Sequence, residues 1–144
     1  MSRASRGEPL LIYEDGLQTR DFVHIQDVVD ANMLVLGDDR ADFQAFNVGG
    51  GKAVSVLDYA QSIREKVGRS VEFQVSGEYR RGDNRHSVSS IEKLRGLGWE
   101  PTRNLSQILG DFIEWVEAIG GVPELSSDAY GDMKRAGVVL AASR

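Results

Sequence analysis

The sequence predicts an α/β protein built of short strands and packing helices, and three patterns indicate this fold class. Short apolar runs such as LLIY and VEFQV end on turn residues, as strands do. Other segments repeat apolar residues at helical spacing and begin with residues that commonly cap helices. Strand-like and helix-like segments follow one another along the chain, as in α/β folds.

Four strands are predicted. The first covers Leu10 to Tyr13 and leads into a turn around Asp15 and Gly16. The segment DFVHI is predicted as the second strand, and Ala45 to Val48, which stops on three glycines, as the third. The fourth is VEFQV, whose apolar residues alternate and therefore share one face.

Four helices are predicted from apolar periodicity and from end residues. The first is expected to be capped by Asp27 and to end near Gly37, and the second to run from Ser55 to Gly68. Ser89 and Glu92 have the spacing of a capping box for a short helix that ends at Gly96 or Gly98. A longer helix follows Pro101 and Asn104, with its apolar stripe between Ile108 and Val116. The sequence is poorly patterned from Gly120 onward.

Length, charge and residue usage exclude several classes of protein. The 144 residues suit one domain, and the net charge of -5 is unlike the basic footprint of nucleic-acid proteins. There are no cysteines and only two histidines, so we expect no disulfide framework and no metal site. No apolar run is long enough to span a bilayer, and the first residues lack a signal-peptide core. We therefore expect a soluble cytoplasmic protein without a membrane or nucleic-acid partner.

Three consecutive glycines, Gly49 to Gly51, follow the third predicted strand and invite comparison with a phosphate-binding loop. Their spacing fits neither the dinucleotide fingerprint nor a P-loop, because no lysine followed by a hydroxyl residue comes next. The following helix also begins several residues later. The loop is therefore interpreted as a flexible turn between a strand and a helix.

Arginines are concentrated in the loop YRRGDNRHS, and a further arginine, Arg20, precedes the second predicted strand. Guanidinium groups that converge on one point suit a phosphate or pyrophosphate, which they bind bidentately. A solvated loop with ordinary surface ion pairs is an equal alternative on composition alone. The loop residues concerned are Arg80, Arg81, Asp83, Arg85 and His86.

Three blocks of sequence resemble one enzyme family in the same order and with similar gaps. They are GEPLLIYEDGLQTRDFVHIQDVVDA, AFNVGGGKAVSVLDYAQSI and RRGDNRHSVSSIEKLRGLGWEPTRNLSQILGDFIEWV. Together they resemble the C-terminal, substrate-binding part of the extended short-chain dehydrogenase/reductases. This group includes the NAD-dependent sugar-nucleotide epimerases and dehydratases, such as UDP-glucose 4-epimerase and dTDP-glucose 4,6-dehydratase. The resemblance covers about Arg6 to Val116.

The resemblance also implies what this chain lacks. In the family, the glycine-rich turn that binds NAD and the catalytic Tyr-x-x-x-Lys lie upstream of these blocks. Met1 falls just before the first block, so the N-terminal Rossmann half is expected to be missing. The chain is then a truncation, a split subunit or a remnant with no catalytic or cofactor-binding residue of its own. NAD is implied only for the complete family enzyme.

Site residues are implied by matching motif to motif. Leu11, Ile12 and Tyr13 match the strand that lies along the base or ribose, and Arg20 matches an arginine that grips the pyrophosphate. Within the arginine-rich loop, Arg80 and Arg85 are expected to bind substrate, and Asp83 to contact the ribose. Glu14 departs from the family pattern, because it stands where glycine is usual and brings a carboxylate close to the expected anion site.

Tyr130 and Lys134 also have the Tyr-x-x-x-Lys spacing. In a dehydrogenase the tyrosine hydroxyl transfers a proton, and the lysine lowers its pKa. Here the pair lies in the poorly patterned tail with no cofactor-binding segment before it, and the spacing is common by chance. The pair is therefore interpreted as fortuitous.

The resulting domain prediction places the substrate-binding region at residues 6–119 and a tail at residues 120–144. Residues 22–49 are expected to pack on the missing Rossmann domain. The expected partners are a UDP- or dTDP-sugar and either that missing domain or a second copy of the chain, so self-association is expected. A non-catalytic interaction module that has lost its ligand is the alternative function. A self-sufficient enzyme that uses Tyr130 and Lys134 is a third.

Overall fold

A computed structural model describes residues 2–121 and 129–141 and confirms an α/β fold. The helices are α1 (Ser2–Ser5), α2 (Ile25–Leu36), α3 (Val56–Val67), α4 (Glu92–Leu97), α5 (Leu105–Ala118) and α6 (Ala129–Arg135), with a 3-10 turn at Asp39–Ala41. The strands are β1 (Leu10–Ile12), β2 (Thr19–Arg20), β3 (Val54–Ser55), β4 (Phe73–Val75), β5 (Glu78–Arg80) and β6 (Val139–Ala141). Among these residues, every helix is too short or too polar to cross a lipid bilayer.

The strands form three separate two-stranded sheets. Strand β1 runs parallel to β4, with Leu10 opposite Phe73. The pairs β2–β3 and β5–β6 are antiparallel. A two-stranded ribbon has little stability by itself, so these sheets depend on the helices and loops packed against them.

Two apolar clusters form the core. The first lies between α1, α3, α5 and the β1–β4 pair, and the second lies between α2 and the segment that contains α4 and Trp99. The buried members of the first are Ala4, Ile63, Val71 and Leu109. Those of the second are Ala31, Ile91, Leu94 and Trp99. The ring of Phe22 stacks on that of Tyr59 at 4.5 Å, and this contact ties the residues before α2 to α3.

Two of the predicted helices have side-chain caps close in sequence, and the cap of α3 is the predicted one. Ser55 accepts the Asp58 backbone N–H at 3.0 Å to begin α3, and Gly68 ends that helix in the left-handed conformation. Asn104 and Gln107 form a complete capping box at the start of α5. In both cases the stabilising contacts lie within a few residues of the helix end, although the sequence predicts only the cap at Ser55 and places Asn104 in the loop before α5.

The predicted caps of the other two helices are wrong. His24, not Asp27, caps α2, because the helix begins three residues earlier than a cap at Asp27 implies and the His24 Nδ1 accepts the Gln26 N–H at 3.0 Å. Ser89 and Glu92 form no capping box, since Ile91 precedes α4 directly. The expected end of α4 at Gly98 is confirmed, with a left-handed backbone at that glycine.

Two predicted strands, DFVHI and Ala45 to Val48, do not form. Within the described part of the chain, no other segment pairs with them, and a strand requires a neighbour for its backbone hydrogen bonds. In the region assigned to the tail, residues 129–141 form α6 and β6, which the sequence did not predict. The remaining tail residues, 122–128 and 142–144, lie outside the described ones.

Asp27, which does not cap α2, joins that helix to the segment before α5. Its carboxylate is 1% exposed and accepts bonds from Thr102 Oγ1 at 2.9 Å and from the Arg103 guanidinium at 2.7 Å. The backbone N–H groups of Thr102 and Arg103 also donate to it. Burial acts to raise the pKa of Asp27, but the hydrogen bonds from Thr102 and Arg103 outweigh burial and hold that pKa below its ordinary value.

Replacing Asp27 by alanine should lower the free energy of unfolding by about 2–3 kcal/mol, because the donors of Thr102 and Arg103 lose their acceptor. The matched control is Asp30→Ala, whose carboxylate is half exposed and lies 3.5 Å from the same arginine; it should cost less than about 1 kcal/mol. Urea denaturation measures both. Equal losses in the two variants would show that the buried carboxylate has no special role.

The stability contributed by Asp27 should also depend on pH. The pKa of Asp27 in the folded chain lies below the ordinary aspartate value of 3.8, which applies to the unfolded chain. The contribution is therefore complete above the unfolded pKa and is lost as the pH falls through the folded pKa. Denaturation of Asp27→Asn between neutral and acid pH should show a shallower loss of stability than the unsubstituted chain. Parallel curves would contradict the assignment.

Candidate functional site

Arg20 lies where two segments far apart in sequence meet. The Thr19 N–H donates to the Arg85 carbonyl at 3.0 Å, and the Ser87 N–H donates to the Thr19 carbonyl at 3.2 Å. The loop that carries Arg85 therefore runs alongside β2. The hydroxyl of Thr19 lies 3.0 Å from Nδ1 of His86 and adds a side-chain contact to this junction.

The guanidinium of Arg20 is anchored by three bonds. It donates to the carbonyls of Thr19 at 2.8 Å and Arg85 at 3.2 Å, and to Asp83 Oδ1 at 2.9 Å. Asp83 follows a tight turn in which its N–H donates to the Arg80 carbonyl at 3.2 Å. The structure thus brings together Arg20, Asp83 and Arg80, three of the residues that the sequence predicts for the site.

Tyr13 and Arg80 contact each other next to this turn. The Arg80 guanidinium lies 5.2 Å from the centre of the Tyr13 ring, within the range of a cation–π interaction. Burial raises the pKa of Tyr13, so its hydroxyl stays protonated at neutral pH. The exposed guanidinium of Arg80 can bind an anion, and the ring of Tyr13 can pack against a planar ring.

Leu11 and Ile12 are placed differently from Tyr13. Leu11 lines a separate cavity of about 400 Å³, whose walls also include Ser76, Glu78 and Tyr130. The side chain of Ile12 is 2% exposed and belongs to the interior. Its carbonyl accepts the Ser76 N–H at 2.9 Å, so this residue positions β1.

Arg85 is held by two carboxylates. Its guanidinium lies 2.5 Å from Glu14 Oε2 and 2.7 Å from Asp15 Oδ2. The bond with Arg85 lowers the pKa of Asp15, and the two carboxylates raise the pKa of Arg85. A cavity of about 510 Å³ opens beside this cluster and is also lined by Gly77 and Tyr79.

Asp21 holds the glycine loop, and this role accounts for an acidic residue next to Arg20. Its Oδ2 accepts the N–H of Ser89 at 3.0 Å and that of Gly51 at 3.3 Å. A Cβ atom added at Gly50 would overlap the Phe22 carbonyl and lie 2.9 Å from Asp21 Oδ1. The glycines therefore permit close approach to Asp21. Because a carboxylate faces this loop, its residues do not fit the pyrophosphate of NAD.

Glu78 joins Tyr130 and Lys134, the pair with Tyr-x-x-x-Lys spacing. The Tyr130 hydroxyl donates to Glu78 Oε2, and the Lys134 ammonium lies 2.6 Å from Glu78 Oε1. Lys134 and then Tyr130 lower the pKa of Glu78, and Glu78 raises that of Lys134. These contacts dock α6 on β5. Sequence reasoning missed Glu78, because its partners Tyr130 and Lys134 come 52 and 56 residues later in a segment without a clear pattern.

Comparison with known proteins agrees with this arrangement. Residues 1–49 match the profile of the NAD dependent epimerase/dehydratase family. The dTDP-L-rhamnose 4-epimerase of Burkholderia thailandensis is 39% identical over 117 residues, which are 80% of this chain and 32% of that protein. The UDP-glucose 4-epimerase of Halalkalibacterium halodurans is 35% identical over 91 residues, which are 61% of this chain and 27% of that protein.

Solved structures show the same similarity in three dimensions. The UDP-glucose 4-epimerase of Thermotoga maritima with UDP-glucose superposes with a TM-score of 0.70 and 31% identity, over 82% of this chain and 38% of that one. The UDP-glucuronic acid 4-epimerase of Bacillus cereus, in complex with UDP-glucuronic acid and NAD, gives a TM-score of 0.68 and 27% identity. That match covers 79% of this chain and 38% of the other.

The fold and these matches define an α/β chain related to sugar-nucleotide enzymes. They confirm the family inferred from the sequence, the extended short-chain dehydrogenase/reductases of the NAD-dependent epimerase/dehydratase type. The chain spans about a third of the length of the curated relatives that it matches.

Replacing Gly50 by alanine should destabilise the chain by about 1–3 kcal/mol, because the added methyl group meets the Phe22 carbonyl and the Asp21 carboxylate. The control is Gly96→Ala in α4, where nothing lies within 4 Å of an added Cβ. That change should be neutral or stabilise by up to about 1 kcal/mol. Thermal unfolding of both variants checks the expectation, and equal effects would argue against a tight loop around Asp21.

Proposed function

We propose that this chain is the part of an NAD-dependent epimerase or dehydratase that binds a nucleotide sugar with a UDP or dTDP moiety. The hydride and proton transfers would then depend on parts of the enzyme that lie outside the matched third. The observation that carries the proposal is the convergence of Arg20, Arg80 and Tyr13 at the turn of residues 80–83. The relatives named for UDP-sugar enzymes support the choice of ligand.

The chemistry of the convergent groups suits a nucleoside diphosphate. A guanidinium can bind two phosphate oxygens at once, and Arg20 and Arg80 approach the same turn from two strands. The carboxylate of Asp83 accepts hydrogen bonds, so it suits the hydroxyl groups of a ribose. The Tyr13 ring offers a flat apolar face for a base. These side chains form two pairs, Arg20 with Asp83 and Arg80 with Tyr13, which the turn of residues 80–83 connects, and together they provide groups for phosphate, ribose and base.

An exposed apolar stripe on α2 supports a protein partner as well as a small ligand. Ile25, Met33 and Leu36 are 71%, 64% and 79% exposed, and Val29 is 42% exposed. Their spacing of three and four residues places them on one face of the helix. We propose that this stripe is covered by the remaining polypeptide of the enzyme or, in its absence, by a second copy of the chain.

Changing Arg20 to alanine should weaken binding of UDP-glucose or dTDP-glucose about tenfold, which corresponds to ~1.4 kcal/mol. Arg20→Lys should restore only part of the affinity, because lysine keeps the charge but not the planar fork. Isothermal titration calorimetry on the folded variants measures the change. The proposal fails if the unsubstituted chain and Arg20→Ala bind equally well.

The control for this experiment is Arg69→Ala. Arg69 is exposed and lines a different cavity, beside Lys66 and Glu117, so its loss should leave affinity within about twofold. Arg103 is unsuitable as a control, because its guanidinium holds the buried Asp27.

Replacing Ile25, Met33 and Leu36 together by glutamine should reduce self-association and the binding of a hydrophobic dye. These side chains are exposed, so the unfolding temperature should change by only a few degrees. Sedimentation at several concentrations measures the association. Leu17→Gln, at an exposed position in the β1–β2 loop, is the control. A chain that stays monomeric and binds no dye before substitution would contradict the proposed partner surface.

A further inference from the structure

Glu14 adopts a backbone conformation that its residue type disfavours. Its φ angle is +51°, in the left-handed region, where a side chain costs conformational energy that glycine avoids. Two hydrogen bonds hold this geometry: the Glu14 N–H donates to the Glu78 carbonyl at 2.7 Å, and the Gly77 N–H donates to the Glu14 carbonyl at 3.2 Å. A strained residue that is firmly held in this way points to a role for its side chain.

The side chain of Glu14 forms an ion pair with the guanidinium of Arg85 and occupies one of its terminal nitrogens. One terminal nitrogen of Arg85 lies 2.5 Å from Glu14 Oε2, and the other lies 2.7 Å from Asp15 Oδ2. Both nitrogens with which an arginine grips a phosphate bidentately are therefore already in use. Both terminal nitrogens of Arg20 also have partners, but one of them bonds only the uncharged carbonyls of Thr19 and Arg85. Among the described residues, Asp83 is the one carboxylate that Arg20 contacts.

The charges around the adjoining cavity argue against a phosphate there. Glu14, Asp15 and Arg85 line the 510 Å³ cavity, so their formal charges sum to one negative charge. An incoming phosphate would be repelled by two carboxylates and would have to displace one of them. Uncharged hydroxyl groups, however, can donate to carboxylates, and Tyr79 adds an aromatic wall.

We propose that Glu14 is a specificity-determining residue whose carboxylate prevents Arg85 from binding an anionic ligand. The cavity beside Arg85 then takes an uncharged, hydroxyl-bearing part of the ligand, and the diphosphate is left to Arg20 and Arg80. This inference rests on the proposed nucleotide-sugar site. It assigns Arg85 to a neutral subsite, although the sequence groups it with the phosphate-binding arginines.

Inorganic pyrophosphate is the probe for the test, because it carries the anion without a sugar or a base. Glu14→Gln removes the charge and keeps the size, and it should raise the affinity for pyrophosphate about tenfold. Combining Glu14→Gln with Arg85→Ala should abolish the gain. Arg85→Ala alone should change the affinity less than about twofold. Glu72→Gln, at an exposed position near the start of β4, is the charge-matched control and should have no effect.

Glu14→Gly separates the role of the charge from that of the backbone. Glycine tolerates the positive φ angle, so this variant should unfold at the same or a higher temperature than the unsubstituted chain. It should gain affinity for pyrophosphate as Glu14→Gln does. A gain in neither variant overturns the inference, as does an Arg85→Ala variant that loses as much affinity as Arg20→Ala.

The outcomes also separate this inference from the proposed function. If the unsubstituted chain binds pyrophosphate through Arg20 but Glu14→Gln does not raise the affinity, the proposed diphosphate site is supported and the proposed role of Glu14 is wrong. If only the Glu14 variants bind pyrophosphate, Glu14 does exclude anions, and the proposed diphosphate site at Arg20 and Arg80 is wrong. If no variant binds, both fail.

Discussion

The buried carboxylate of Asp27 is the interaction on which the arrangement of this chain depends. It accepts bonds from residues 75 and 76 positions later, and the Asp27 carbonyl accepts the Trp99 indole N–H at 3.2 Å. Trp99 belongs to the apolar cluster against α2, and α5, which follows Arg103, belongs to the other cluster. One charged side chain thus joins both halves of the core. A buried carboxylate is stable there because each oxygen has donors.

A second contact, about one helical turn before Asp27, also joins α2 to the region of α5. His24 accepts the Gln26 N–H at Nδ1, and its Nε2 lies 2.8 Å from Asp111 Oδ2. The start of α2 is therefore fixed to α5 at one point and to the segment before α5 at another. Because the sheets of the described residues have only two strands each, hydrogen bonds between distant residues help to orient the helices.

Electrostatics at the proposed site follow a single pattern, in which the chain supplies its own anions. Asp83 occupies Arg20, and Glu14 and Asp15 occupy Arg85. A phosphate that binds Arg20 would have to exchange with Asp83, so the free energy gained is the difference between two charge-assisted contacts. Such exchange favours modest affinity and strong sensitivity to ionic strength.

Local sequence determined the parts of this protein whose stabilising contacts are close in sequence. The caps of α3 and α5 are of this kind, because Ser55 bonds the start of its own helix and Asn104 bonds Gln107. Tertiary structure alone decided whether DFVHI pairs as a strand, that Asp27 serves as an anchor rather than a cap, and that Glu14 takes a left-handed backbone to reach Arg85. The first outcome depends on whether another segment lies alongside DFVHI, and the other two depend on groups more than 60 residues away. Residue spacing within a window of about 18 positions carries no information about them.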